Sequence, residues 1–158
     1  MSCQLDEVIQ VFNVAKGVRN ALLKHYPDRP EMADLGRRAT SVACGLLLLE
    51  GFDVFIKDGM VRLEGRDIQH CWLEIFLNGE EFIWDITLIQ FSRQVGQELP
   101  NTVFMLKEEA EELYGYGQST DYDWQADDCP LQVWQDALDY LKLDRMAAEV
   151  ISEVAELA

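Results

Sequence analysis

The chain lacks several features that would have narrowed its function at once. Its apolar runs are short, with Leu46 to Leu49 the clearest at four residues, so no segment has the length of a membrane span. The four cysteines show no Cys-x-x-Cys spacing, and the only two histidines, His25 and His70, are far apart. These absences argue against a structural zinc site. A glycine-rich phosphate loop is also missing. From these absences together we expect no bound metal and no cofactor.

The amino-terminal residues lack the basic region and apolar core of a secretory signal. We expect the four cysteines to be free thiols, which are typical of a reducing compartment. We therefore expect a cytoplasmic protein. At 158 residues, of which 49% are hydrophobic, the chain is predicted to form one globular domain covering residues 1–158.

Basic side chains are scarce, and the imbalance is uneven along the chain. Thirteen Lys and Arg stand against 29 Asp and Glu, for a net charge of −16. Residues 1–97 carry ten basic and fourteen acidic side chains, whereas residues 98–158 carry three and fifteen. Such a surface disfavours nucleic acid and anionic membranes and favours a basic protein partner. Solubility alone is the competing explanation for the charge.

Hydrophobic periodicity predicts an α+β fold in which helices pack on an antiparallel sheet. An acidic helical part is expected over about 98–158. The predicted helices are 5–26, a second from about Pro30 or Gly36 to Glu50, Lys107–Tyr114, 130–142 and 144–157. The predicted strands are Phe52–Ile56 and Met60–Leu63 around an Asp58-Gly59 turn, Ile68–Leu77, Glu80–Thr87 and an edge strand at Asn101–Leu106. The stretch from Gly115 to Pro130 is expected to be an irregular loop.

The turn signal Asn78-Gly79 fixes the register of the central hairpin. With these two residues as the turn, Leu77 pairs with Glu80 and every opposed pair sums to 157. His70 and Asp85 then become diagonal neighbours on one face, roughly 7–8 Å apart at the backbone and within side-chain reach. The opposite face, which carries Cys71, is predicted to face the core. A histidine beside an aspartate that can orient it is two-thirds of a nucleophilic triad.

These runs resemble a known family. The pattern His-x-Trp-Leu-Glu (from His70) followed by Asp-Ile-Thr-x-x-Gln-Phe (from Asp85) resembles the bacterial transglutaminase-like cysteine peptidases of the papain-like superfamily. The resemblance covers about residues 30–92. It implies a papain-like fold in which His70 moves the proton, Asp85 holds the imidazole, and Trp72 and Gln90 line the site.

The resemblance also implies where the nucleophile would stand. In that family a cysteine opens the helix, an Ala-Ser or Ala-Thr pair follows three residues later, and a glycine closes the helix. Ala39-Thr40 and Gly51 fit this frame and place the nucleophile position at Gly36. Cys44, eight residues further on, is the nearest thiol. Its mid-helix, apolar surroundings favour a buried core residue over a reactive one.

The stretch 114–128 suggests a second kind of site, because its aromatic residues alternate with acidic ones. Tyr116, Tyr122 and Trp124 are rigid anchors of the kind that protein interfaces favour. The competing interpretation is a solvated loop whose aromatic rings pack onto the core.

Two functions therefore remain open from the sequence. One is a degenerate or atypical transglutaminase-like protein that acts mainly by binding a basic protein partner, as an inhibitor, immunity factor or adaptor would. The other is a cysteine hydrolase or acyltransferase with a Cys-His-Asp triad, in which Cys44 would supply the thiolate.

Overall fold

The computed structural model describes residues 2–27 and 35–158. Within them the chain forms an α+β fold, as expected. The helices are α1 (Ser2–His25), α2 (Leu35–Leu49), α3 (Ser92–Val95), α4 (Lys107–Tyr114), α5 (Leu131–Tyr140) and α6 (Ala147–Leu157), with a short 3₁₀ helix at Leu88–Phe91. The strands are β1 (Asp53–Leu63), β2 (Arg66–Leu77), β3 (Glu80–Asp85), β4 (Val103–Leu106) and β5 (Tyr116–Tyr122).

All five strands form one antiparallel sheet in the order β4-β3-β2-β1-β5. One face packs against α2. α1 and α6 pack against α2, α5 packs against α1 and α6, and the larger core lies among these elements. The other face carries a smaller core under α4 and the 3₁₀ segment, centred on Trp72 and Ile83. Alternate residues of β2 and β3 therefore enter different cores, which is why neither strand presents a polar face to water over its length.

The two long helices end where the sequence signals predict. α1 stops before Pro27, the first residue that cannot continue its hydrogen-bond ladder. α2 ends before Gly51, which adopts a left-handed φ of +86° and donates its N–H to Leu48. The alternative helix start at Pro30 lies outside the described residues.

The central hairpin has the predicted register. Asn78 and Gly79 both adopt positive φ, 53° and 80°, as a two-residue type I′ turn requires. Leu77 pairs with Glu80 and Leu73 with Trp84. The edge position of β4 and the bounds of α4 are also confirmed.

The predicted hairpin at Asp58-Gly59 is wrong. β1 runs unbroken through both residues, and the turn falls at Glu64-Gly65, where both φ angles are positive. Gly59 is needed for a different reason, since a β-carbon there would overlap the carbonyl oxygen of Gln118 on β5. A glycine within a strand that permits close backbone approach gives the same sequence signal as one in a turn.

The predicted loop from Gly115 to Pro130 is also wrong over its first half. Residues 116–122 form β5, the edge strand that pairs with β1. Its sequence is rich in glycine and polar residues, and Tyr116 is its one buried residue. The strand therefore lacks the alternation of apolar and polar residues that would predict it. The acidic residues of 98–158 lie on both sides of the sheet, because α4 packs on one face while α5 and α6 pack on the helices of the other side.

In the part of the chain that is described, no helix is both long enough and apolar enough to cross a membrane.

Substitutions at two glycines distinguish the destabilisation caused by backbone strain from that caused by steric overlap. Gly51 and Gly115 both have positive φ, but a β-carbon at Gly51 meets nothing within 4 Å, whereas one at Gly115 would overlap the carbonyl of Arg62. Gly51→Ala should therefore lower the free energy of unfolding by about 1 kcal/mol through conformation alone. Gly115→Ala should lower it at least twice as much, as measured by urea unfolding. Equal losses of unfolding free energy in the two variants would show that the backbone at the start of β5 moves away from Arg62 at little cost.

Candidate functional site

His70 and Asp85 form a buried hydrogen-bonded pair, as the hairpin register predicts. The distance from Nε2 of His70 to Oδ2 of Asp85 is 2.8 Å, and both side chains are almost wholly buried. β3 ends at Asp85, and the last pair of the hairpin is Leu73 with Trp84. His70 lies three residues before that pair on β2, opposite Gly59 of β1.

The carboxylate of Asp85 accepts four hydrogen bonds. Oδ2 accepts from His70 and from the hydroxyl of Tyr116, the latter at 2.7 Å. Oδ1 accepts from the backbone N–H and the hydroxyl of Thr87, at 2.9 and 3.2 Å. An aspartate readily bonds the backbone two residues on, so the Asp-Ile-Thr run supplies half of this shell locally. The full shell stabilises a charge that would otherwise be costly to bury.

Tyr116 joins the site from a distant part of the chain. It lies on β5 opposite Val61 and packs edge-on against Trp72, with ring centroids 5.1 Å apart. Burial raises the pKa of Tyr116 well above its usual value, and the carboxylate of Asp85 raises it further. The hydroxyl therefore remains a hydrogen-bond donor at neutral pH.

Aromatic rings enclose the imidazole. Phe91 contacts His70 edge-on at 5.0 Å between centroids, and the ring of Trp72 lies 6.3 Å away. The expected role of Trp72 as a wall that excludes water is consistent with its burial. The face that carries His70 is therefore enclosed and not an open cleft.

Gly36, the second residue of α2, lies against the other side of the imidazole. A β-carbon at Gly36 would be 3.2 Å from Nδ1 of His70 and 3.1 Å from Cε1. The histidine thus directs one ring nitrogen to Asp85 and the other toward the beginning of α2. Among described residues, no cysteine, serine or threonine side chain bonds Nδ1.

The described thiols do not supply a nucleophile at this point. Cys44 is buried in α2, and burial raises its pKa to about 12. It lies eight residues from Gly36, about 12 Å along the helix axis at 1.5 Å per residue. Cys44 is therefore not part of the His70 site. The side chain of Cys3 lies outside the described part of α1.

Cys71 is buried behind His70, as predicted, and has a charged neighbour. Burial raises its pKa, while Arg37, whose Nη2 is 3.6 Å from Sγ, acts in the opposite direction. Arg37 also donates to Asp58 at 3.1 Å and stacks on the ring of Tyr122. This cluster closes the side of the site next to Gly36.

The aromatic residues predicted as interface anchors in the loop contact other parts of this chain. Tyr116 is buried, so it does not present a ring at the surface, and that expectation is wrong. Tyr122 donates to Asp128 and lies under Arg37. Trp124 donates its indole N–H to the carbonyl of Ser41 at 2.9 Å. The competing interpretation, in which the rings pack onto the core, describes these three residues better.

Gln90 is buried in the 3₁₀ helix, and neither its amide nitrogen nor its amide oxygen has a partner among the described residues. Sequence reasoning included Gln90 through the motif but missed Tyr116 as a ligand of Asp85. Only the pairing of β5 with β1 brings Tyr116 there, and no local signal marks it.

Across residues 2–27 and 35–158, no three His, Cys, Asp or Glu side chains group as metal ligands would. The fold and site thus define an α+β protein with a buried His–Asp–Tyr network beside Gly36 in the first turn of α2. No protein-family profile, curated protein or solved structure matches the chain.

The hydroxyl of Tyr116 is expected to stabilise the fold through Asp85. Tyr116→Phe should lower the free energy of unfolding by about 1–2 kcal/mol, because it removes one bond to a buried carboxylate. Tyr114→Phe is the matched control, since Tyr114 lies two residues away and makes no described hydrogen bond to Asp85. Chemical denaturation of both variants measures the difference. An unchanged Tyr116→Phe variant would contradict the four-bond description of Asp85.

Proposed function

We propose that this chain is a degenerate relative of the transglutaminase-like cysteine peptidases, with a papain-like arrangement of helix and hairpin. In this proposal it acts by binding a basic protein partner and not by catalysis. An inhibitor, immunity factor or adaptor would act in this way. The His70–Asp85 pair then has a structural role, since it holds the start of α2 against β2.

The contact between Gly36 and His70 carries the proposal. A cysteine nucleophile would need its sulfur beside Nδ1, and the residue facing Nδ1 has no side chain. The imidazole is also enclosed, with a side chain only 2% exposed, so a substrate carbonyl has no open path to it. A buried histidine that is bonded to Asp85 and has no nucleophile beside Nδ1 is what a protein that has lost this activity would retain.

The arrangement of elements supports the papain-like part of the proposal. The helix that would carry the nucleophile precedes the sheet, and its first turn meets the histidine strand. The aspartate follows on the neighbouring strand and bonds Nε2, which leaves Nδ1 toward the helix. In a nucleophilic triad one ring nitrogen likewise faces the orienting carboxylate and the other faces the nucleophile.

Charge supports a basic partner. Residues 98–158 have a net charge of −12, from three basic and fifteen acidic side chains. Several of their acidic groups are exposed, including Glu109, Glu112, Asp123 and Asp127. Long-range attraction of this kind accelerates association with a cationic protein and weakens as salt rises.

A cysteine hydrolase or acyltransferase remains the alternative, favoured by the geometry of His70 and Asp85 alone. It requires a thiolate, and Cys44 with a pKa of about 12 would be ionised in only about one molecule in 10⁵ at pH 7. The ionised fraction of Cys44 rises about tenfold for each pH unit, so its labelling should be slow at neutral pH and increase steeply with pH.

Gly36→Cys tests the site directly. The new thiol would meet the start of α2 and Nδ1 of His70, both of which lower a thiol pKa. Because the β-carbon contact is only 3.1–3.2 Å, the ring must move by a few tenths of an ångström. The introduced cysteine should react with iodoacetamide below about pH 7 faster than Cys44, with each site quantified by peptide mass spectrometry.

Two controls make the result specific. Ala39→Cys places a thiol one turn further along α2, where Ala39 is buried, and should remain unreactive. His70→Ala in the Gly36→Cys background should remove the advantage. If Cys44 of the unmodified protein already labels rapidly and depends on His70, the enzyme becomes the better explanation.

Charge reversal tests the basic partner. Lysine substitution at Glu109, Glu112, Asp123 and Asp127 should slow association with an oligolysine peptide at low salt, with the melting temperature nearly unchanged. Stopped-flow or surface-binding kinetics at two salt concentrations provide the rates.

The matched control reverses four exposed acids of the first part of the chain, namely Asp6, Glu50, Asp53 and Glu80. Both sets change the net charge equally, from −16 to −8. A larger effect of the first set would locate the recruiting surface in residues 98–158. Equal effects of the two sets on the association rate would show that only the total net charge matters, and this would contradict the proposal.

A further inference from the structure

A cavity lies beside the His70 site and shares Thr87 and Gln90 with it. Its volume is about 250 Å³, and it is bounded by the end of α1, the start of α2 and the residues that follow β3. Most of its wall is apolar, with Leu22, Leu23, Leu35, Ile86 and Ile89 among the lining residues. Because a 150 Å³ apolar cavity accommodates a benzene ring, this one accommodates a branched aliphatic or aromatic side chain.

Two polar residues in this wall have buried atoms without partners. They are Nε2 and Oε1 of Gln90 and Nε of Arg19, and none bonds another described residue. Buried polar groups are nearly always paired, and each unpaired one destabilises the fold. Trp72, Trp84 and Trp134 also have unpartnered indole nitrogens, but Gln90 and Arg19 are the two such residues that line this cavity, where a ligand would supply partners after a side-chain rotation.

The charge of Arg19 restricts that ligand. Its Nη2 donates to the backbone carbonyl of Asn101 at 2.8 Å. Burial lowers the pKa of Arg19, and no carboxylate among the described residues opposes this effect. A partly buried guanidinium without a counter-ion favours an anionic ligand, most simply a carboxylate.

Gln90 adds a requirement that a simple carboxylate does not meet. Its amide offers one acceptor and donors on the same planar group, so the ligand must donate one hydrogen bond as well as accept. The unpartnered atoms have almost no accessible surface. Rotation about the terminal torsion of a glutamine is soft, and it can turn the amide toward a ligand at little cost.

We propose that this cavity binds the apolar C-terminal residue of a peptide or protein chain. The side chain fills the apolar part, and the backbone N–H donates to Oε1 of Gln90. The terminal carboxylate accepts from Nε2 of Gln90 once the amide has turned, and it pairs with the positive charge of the Arg19 guanidinium at the cavity wall. The inference rests on the proposed binding function for its class of partner, a protein, but the cavity can be tested without any partner protein.

N-acetyl-leucine is the smallest probe with all three features. Titrated into the full chain, it should shift the side-chain amide signal of Gln90 saturably in ¹H–¹⁵N NMR spectra. N-acetyl-leucinamide, which lacks the charge, should bind about tenfold more weakly. N-acetylglycine and 4-methylpentanoate, which lack the side chain and the N–H respectively, should also bind more weakly.

Gln90→Met separates a ligand site from a structural role. It removes the unpartnered atoms and keeps the length of the side chain, so it should raise the melting temperature by about 2–4 °C. The same variant should lose N-acetyl-leucine binding. Gln94→Met, at an exposed position four residues on, should change neither property. Arg19→Gln should abolish the preference for the carboxylate over the carboxamide.

Three results would overturn the inference: no saturable binding of N-acetyl-leucine, equal binding of its amide, or undiminished binding by Gln90→Met. None of them bears on the Gly36→Cys and charge-reversal experiments, which probe other surfaces. Conversely, the charge-reversal variants should bind N-acetyl-leucine normally, so failure of the basic-partner proposal would leave this result intact.

Discussion

The buried carboxylate of Asp85 is the constraint on which the site depends. A charge in this position is tolerated only if its lone pairs are satisfied, and four donors satisfy them. These donors come from β2, from the turn after β3 and from β5. The need to satisfy this carboxylate therefore links the two strands of the central hairpin, β2 and β3, to β5. It also fixes the orientation of His70.

His70 transmits this constraint to α2. With Nε2 held by Asp85, the opposite side of the ring faces Gly36, and the contact leaves no room for more than a small adjustment. The glycine thus lets the start of the helix approach the strand closely. The same geometry that would activate a thiol serves, without one, as a packing contact between helix and sheet. This is why the proposed loss of activity leaves the fold intact.

The sequence predicted much of the fold because its strongest signals are local. Asn78-Gly79 set both the turn and the register, since a side-chain period of two leaves one pairing that buries the correct face. Asp58-Gly59 gave the same signal and was misinterpreted, because the glycine there admits β5 and makes no turn. β5 was missed because an edge strand with one buried residue has no hydrophobic alternation to detect.

By itself, then, the sequence determined the α+β class, the hairpin register and the His70–Asp85 pair, all of which follow from residues within about twenty positions of one another. Tertiary structure alone decided that Tyr116 completes the shell of Asp85, that Gly36 faces Nδ1, and that Arg19 and Gln90 line one cavity. These contacts join segments far apart in the chain. Hydrogen-bond satisfaction and close packing select them only once the helices and sheet have assembled.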